Sequence, residues 1–512
     1  MKVLLKNQKF RLYCKRIMAI ACFLSIIAYL YASATYLFRG TSLNDYNDDR
    51  LNIVGIKEEG PLDMIYIGGS AAFCYWFPLR AWNDYGFTSY NLGSTSIQSE
   101  NILYLMKHAL KYQEPDLFVI GVRSFTDYSN TGYEPGLRYT SDALDLGIDR
   151  LRLIKTYYDR RLMEEDICSV YIDIAKHHSR YDLLASPEAW SLADNAGEPL
   201  YKGVKLMDSY YYLDQPPYTD KERSREMERG ATETLYELLD YCTEKNLNVL
   251  FVVSPYITRQ DECELYVTME DIITSNGFPF LNANDYFEEM GLDLSEDFSD
   301  RGHVNVLGAE KYTDFLSKYI VENYGLTDHR AEGNASWDAA YAAFADATEK
   351  VKASVNAMIA TARQGEEIAE QSHDTEDLTV WCDLVNDSRL TVLAVGDGDL
   401  LNKISEQEKE YLAEIGLTYT DDNNLIRILC NSEILYSNMD TGLSQCTMPI
   451  GAQNNVDCSI DSETLSILIS GEEYSRKDKN GINVVVFQND YRKVADTLTI
   501  CCDEDGVIRL VR

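Results

Sequence analysis

A serine that closes a glycine-terminated apolar run, and a histidine placed three residues after an aspartate far downstream, are the residue types that acyl-transfer chemistry needs. The first lies in Met64-Ile65-Tyr66-Ile67-Gly68-Gly69-Ser70. This run reads as a buried strand whose glycines let the backbone turn sharply, setting the Ser70 hydroxyl at the sheet's edge, where an attacking group must stand. The second is Asp297-Phe298-Ser299-Asp300-Arg301-Gly302-His303-Val304-Asn305, just ahead of a helical pattern. With Asp300 and His303 three apart in a loop, the carboxylate can hold the imidazole in one tautomer while the other ring nitrogen faces a nucleophile. Ser70 would then attack an ester carbonyl, His303 would take its proton, and Asp300 would stabilise the imidazolium. The chain has only six histidines, so one at this place carries information.

Those residues need a scaffold, and the pattern around them supplies one. Leu62 to Ile67, Ser89 to Leu92, Leu117 to Val122 and Val249 to Val253 are short apolar runs that end in Gly, Ser or Pro. Helical patterns intervene at about 99 to 112, 222 to 246, 259 to 276 and 305 to 323. Strands alternating with amphipathic helices predict parallel βαβ units covered on both faces. Functional groups belong at the carboxyl ends of such strands. A Tyr-rich insertion at about 123–220 interrupts the rhythm and is expected to form a lid or a substrate-facing wall.

The order of these blocks resembles the SGNH (GDSL-like) hydrolase family. Its pattern is a serine after the first strand, a glycine after the second, an asparagine after the third, and D-x-x-H before the last helix. Ser70 matches the first block, Gly93 in Tyr90-Asn91-Leu92-Gly93-Ser94 the second, and Asp300 with His303 the last. The resemblance covers residues 61–325 and implies a three-layer α/β/α domain with a parallel sheet. The chain departs from it in two places: Gly69 stands where many members have aspartate, and the third block, Ile120-Gly121-Val122-Arg123, has no asparagine. The oxyanion donors implied are the Ser70 and Gly93 amides, with Arg123 as the residue placed to supply the missing side-chain donor.

Within that family the chain is most similar to membrane-anchored members of the DltD-like and alginate-acetylation type. These share the anchor, the Tyr-Asn-Leu-Gly-Ser block and a Pro-bounded strand like Phe251-Val252-Val253-Ser254-Pro255. The resemblance implies an extracytoplasmic serine O-acyl esterase or O-acyltransferase acting on a cell-surface polysaccharide or cell-wall polymer. It leaves room for an acyl-exporting membrane partner and implies no cofactor. The alternative is a non-catalytic SGNH-fold binding or scaffold protein of such an assembly. Flat tyrosine rings suit sugar faces, and of the 37 tyrosines several lie in the insertion, including Tyr210, Tyr211 and Tyr212.

The ends of the chain set its compartment. Lys2, Lys6, Lys9, Arg11, Lys15 and Arg16 make a basic head, 1–16, followed by 22 uncharged residues, 17–38. At about 1.5 Å per residue that run crosses a hydrocarbon layer of about 30 Å, and the basic flank keeps the N-terminus cytoplasmic. The rest of the chain would then lie outside the cell. Ala32-Ser33-Ala34 leaves open a cleaved signal peptide instead. The head carries +6 against the chain's −36, which leaves −42 on the remainder. Such a body repels phosphate backbones and excludes nucleic acid as a partner.

After the anchor, 39–60 reads as a polar stalk, 335–371 as a long linking helix, and 378–512 as a small β-rich domain. Gly481-Ile482-Asn483-Val484-Val485-Val486-Phe487 with Val494 to Leu498 is similar to the core of ILEI-like (interleukin-like EMT inducer) domains, which implies binding rather than catalysis; the alternative is a plain structural β-domain. The twelve cysteines show no paired C-x-x-C spacing and so no metal site. An outside location permits disulfides, for which the C-terminal cluster is the place.

Overall fold

The computed structural model describes residues 2–40, 47–172, 181, 185, 200–418, 424–438, 444–450, 454–460, 464–476, 481–503 and 507–512. They divide into two compact units. One comprises Met1–Asp208, Gln215–Asp293 and Arg301–Val351; the other comprises Ser209–Asp214, Leu294–Asp300 and Lys352–Arg512.

The first unit is built on a five-stranded parallel sheet. Its strands are β1 (Met64–Gly68), β2 (Ser89–Gly93), β3 (Leu117–Gly121), β4 (Val249–Val253) and β5 (Phe280–Asn282), in the order β2-β1-β3-β4-β5. Every residue of β1, β2 and β4 is buried, so the sheet is covered on both faces. This is why β1 and β4 read as continuous apolar runs rather than alternating ones. The strand order reverses direction between β1 and β3, and a crevice at their carboxyl ends is where ligands bind in open sheets of this kind. Of the five strands, β5 went unread because three residues carry no periodicity.

Helices Ser99–Ala109, Arg229–Lys245, Gln260–Ser275 and Val306–Tyr324 follow the helical patterns with shifted ends. The front of the insertion, helices Glu134–Ser141 and Ile148–Arg160, packs on Ser99–Ala109. Arg161 anchors it there: its guanidinium grips the buried Glu100 carboxylate through two bonds of 2.9 Å. The same guanidinium lies over the Tyr128 ring at 3.9 Å. This part is therefore an integral wall; most of 173–199 lies outside the described residues.

The stretch read as a stalk contains a helix. Its segment 41–46 lies outside the described residues, but helix Asn47–Gly55 follows, and Ile53 and Ile56 are buried. The Ile53 carbonyl meets His108 Nε2 at 3.1 Å. Helix Lys2–Gly40 contains an apolar span, Phe10–Thr35, of mean hydropathy 2.1, long and apolar enough to cross a membrane.

The second unit is β-rich and antiparallel. It includes strand β6 (Phe298–Asp300) but not β7 (His303–Val304), which belongs to the first unit. Its main sheet has six strands: β8 (Leu390–Asp397), β9 (Asn424–Cys430), β10 (Glu433–Ser437), β15 (Ile482–Gln488), β16 (Lys493–Cys502) and β17 (Ile508–Val511). A second sheet holds β11 (Gln445–Ile450), β12 (Asn454–Ile460), β13 (Leu465–Ile469) and β14 (Glu472–Glu473). Successive residues of β8 and β15 feed two different cores. Val392, Ala394, Val484 and Val486 pack with Trp381, Leu401 and Leu412 of helical segments; Leu393, Val395, Val485 and Phe487 pack with Val456 and Ile467 of the second sheet. Helix Glu406–Glu414 starts on a reciprocal cap between Ser405 and Glu408. The long helix runs from Ala335 to Asp374.

Burial pushes the His108 imidazole down to about 4, against only partial relief from Asp145. The unfolded chain therefore takes up this proton first, and stability present above about pH 6.5 is lost as the pH falls towards 4. Wild type should lose about 2 kcal/mol more than His108→Gln between pH 6.5 and 5 in denaturant titrations; equal losses in the two would show that His108 is not held neutral.

Candidate active site

Ser70 opens the short helix Ser70–Phe73 straight after β1, with Gly69 as its extended N-cap residue. A helix's first N–H groups have no intrahelical partner, so the Ser70 amide faces outward from the turn. Glycine is required next door for a steric reason. Gly68 and Gly93 are in register at the ends of β1 and β2, and a Cβ on Gly93 would stand 1.8 Å from the Gly68 carbonyl oxygen. One on Gly69 would stand 2.9 Å from Ile97 Cγ2.

His303 reaches Ser70 across 233 residues of sequence: its Nε2 stands 2.7 Å from the Ser70 hydroxyl. Both residues are half-buried. Asp300 closes β6, three residues ahead of His303, which opens β7. Helix Val306–Tyr324 then begins on Asn305, whose side chain accepts the Leu307 and Gly308 N–H groups.

What holds His303 in place is the turn before it. The Arg301 carbonyl accepts the Ile257 N–H at 3.1 Å, and the Gly302 carbonyl accepts two side-chain donors, Tyr75 Oη at 2.7 Å and Arg123 Nη1 at 2.6 Å. Arg123 also lies over the Tyr256 ring at 4.0 Å. Arg123, read from the sequence as the residue placed to supply the missing side-chain donor, directs one of its five N–H groups to the peptide that precedes His303.

A buried hydroxyl network supports the other half of the pair. Tyr66 Oη, inside β1, lies 3.1 Å from both Ser254 Oγ and Tyr312 Oη, and Ser254 donates to the Ala71 carbonyl. The turn that carries Ser70 is thus tied to the end of β4 and to the helix after His303. Burial pushes the Tyr66 phenol up to about 12 and raises Tyr312 as well, so both hydroxyls remain protonated donors at neutral pH. Tyr75 meets Tyr312 edge-on, 5.9 Å between ring centres.

Of the residues singled out in the sequence, Ser70 and His303 meet, Gly93 abuts the serine's turn, and Arg123 reaches the histidine's turn. Tyr75, Tyr66, Tyr312 and Ser254 were missed as site residues. Ser254, a small polar residue at a strand end before Pro255, carried a signal; Tyr75, inside Tyr75-Trp76-Phe77, carried none. Among the described residues no group of three or more His, Cys, Asp or Glu side chains is placed to hold a metal ion. No family model matches this chain, and no curated protein matches it.

Gly93→Ala should cost about 1–3 kcal/mol or more, because the strand ends must part to admit the methyl group; an unchanged denaturation midpoint would contradict the contact. Tyr75→Phe and Arg123→Met each leave Gly302 one donor, while the double change leaves a partly buried carbonyl with neither. Their double-mutant cycle should show a coupling of about 1 kcal/mol, and strictly additive losses would count against a shared acceptor.

Proposed function

We propose that the chain is an SGNH-type serine O-acyl esterase or O-acyltransferase, built on a three-layer α/β/α domain and held at the outer face of a membrane by its N-terminal helix. The observation that carries this reading is the 2.7 Å approach of His303 Nε2 to the Ser70 hydroxyl at the point where the strand order reverses. A nucleophile within hydrogen-bond reach of a base, at a half-buried crevice, is the arrangement covalent acyl transfer requires.

In this reading Ser70 Oγ attacks the ester carbonyl while its proton passes to His303 Nε2. Asp300 stabilises the imidazolium, and the oxyanion is held by the Ser70 and Gly93 amides. His303 then returns the proton to the departing alcohol, leaving an acyl-serine. Water as the second acceptor makes an esterase; a sugar hydroxyl on a surface polysaccharide or cell-wall polymer makes a transferase, and an acyl-exporting membrane partner would supply such an enzyme.

One observation favours a second reading, a non-catalytic glycan-binding or scaffold protein with the same fold. The third-block asparagine is absent, and one N–H of Arg123, the residue that would replace its donor, is committed to the Gly302 carbonyl. Removing one oxyanion donor costs about 10²-fold or more in rate in a serine hydrolase. The ILEI-like resemblance of the C-terminal unit suits a binding role in either case.

Labelling of the full-length chain in detergent with a fluorophosphonate probe separates the two. Wild type should label at Ser70, with loss of label in Ser70→Ala and at least a 100-fold slower rate in His303→Ala. Absence of label in wild type would move the assignment to the binding reading.

A further inference from the structure

The β11–β12 ladder sets Cys446 directly opposite Cys458. Opposite residues of an antiparallel pair project to the same face, and these two are both buried, 7% and 1% exposed, in the core shared with Val456, Ile467 and Phe487. The Ile460 N–H donates to the Ser444 carbonyl at 2.9 Å, two residues further along each strand. Ladder hydrogen bonds recur every second residue, so Cys446 and Cys458 form a hydrogen-bonded pair, with Cα atoms about 5.5 Å apart. A disulfide spans Cα separations of about 4.4–6.8 Å. Among the ladder pairings of the described strands, this is the one that puts cysteine against cysteine.

Strand β11 is also the edge of its sheet, ordered β11-β12-β13-β14. An edge strand presents a row of ladder groups to other chains and is a site of mispairing unless restrained. The two cysteines are close in sequence, so the hairpin brings them together before the core seals over them. Once sealed, burial raises both thiols and makes them poor nucleophiles.

We propose that Cys446 and Cys458 are a disulfide-forming pair that staples the edge strand β11 to β12. The oxidant is a small-molecule or protein disulfide. One cysteine thiolate attacks a sulfur of that disulfide and expels the first thiolate; the second cysteine attacks the mixed disulfide and expels the other. Two protein thiols are oxidised, one external disulfide is reduced to two thiols, and the two cysteine protons end on the released thiols. The inference does not rest on the proposed reaction of Ser70, and an outward-facing location would supply the oxidising conditions.

The test is peptide mapping of the full-length chain, folded in detergent with oxidised and reduced glutathione, alkylated, and digested without reduction. A peptide pair joined through Cys446 and Cys458 is expected. Dithiothreitol should then lower the thermal midpoint of wild type by about 5 °C and leave that of Cys446→Ala/Cys458→Ala unmoved. Alkylated thiols at both positions, glutathione adducts at either, or bonds from either to another cysteine would overturn the proposal. The mapping reads the wild-type chain alone, so it stands even if the variant fails to fold.

Discussion

One carbonyl oxygen organises the candidate site. Gly302 offers it to the Tyr75 hydroxyl and the Arg123 guanidinium together, and the neighbouring Arg301 carbonyl is held by the Ile257 amide. A peptide plane pinned by two donors cannot rotate without losing both, and His303 is the next residue. Backbone restraint on the preceding peptide thus helps to set the imidazole's position over Ser70. On the serine side the restraint is different in kind: a buried chain of hydroxyls from Ser254 through Tyr66 to Tyr312 ties the turn that carries Ser70 to elements far away in sequence. Two supports, one polar and charged, the other neutral and buried, meet at a single hydrogen bond.

How much of this was legible depended on the range of the interaction. Four strands of the parallel sheet were readable because full burial on both faces forces continuous apolar runs, and the G-G-S end of β1 was readable because glycine is demanded wherever a Cβ would strike backbone. The D-x-x-H spacing is local and carried its own meaning. Arg123 was noticed as a departure from a family pattern, but its partner, a backbone carbonyl 179 residues on, has no side chain to leave a trace. Tyr75, Tyr66 and Tyr312 look like ordinary apolar packing until their hydroxyls are followed into the fold. The helix Asn47–Gly55 within the stretch read as a stalk went unread for a related reason: the polar composition around it hides Ile53 and Ile56, which are buried.

The second unit was easier to read as a class than in detail. The sequence announced a small β-rich domain, while the reciprocal cap between Ser405 and Glu408 emerged only in the structure. The run Ile482 to Phe487, in contrast, is apolar at nearly every position, because the strand serves two cores at once. Composition cannot distinguish such a strand from a central parallel one; only the pairing partners do.

That doubly buried strand has a consequence for how the chain comes into being. Strand β8 pairs with β9 shortly after synthesis, yet its other edge pairs with β15, where Gly396 meets Ile482. Until the last part of the chain has emerged, β8 exposes an unpaired and strongly apolar edge. Contacts so distant in sequence slow folding and prolong the aggregation-prone interval. The main sheet of the C-terminal unit is thus completed only when β15 is made, and truncations that spare every residue of the candidate site but remove β15 would leave a chain unable to complete its second half.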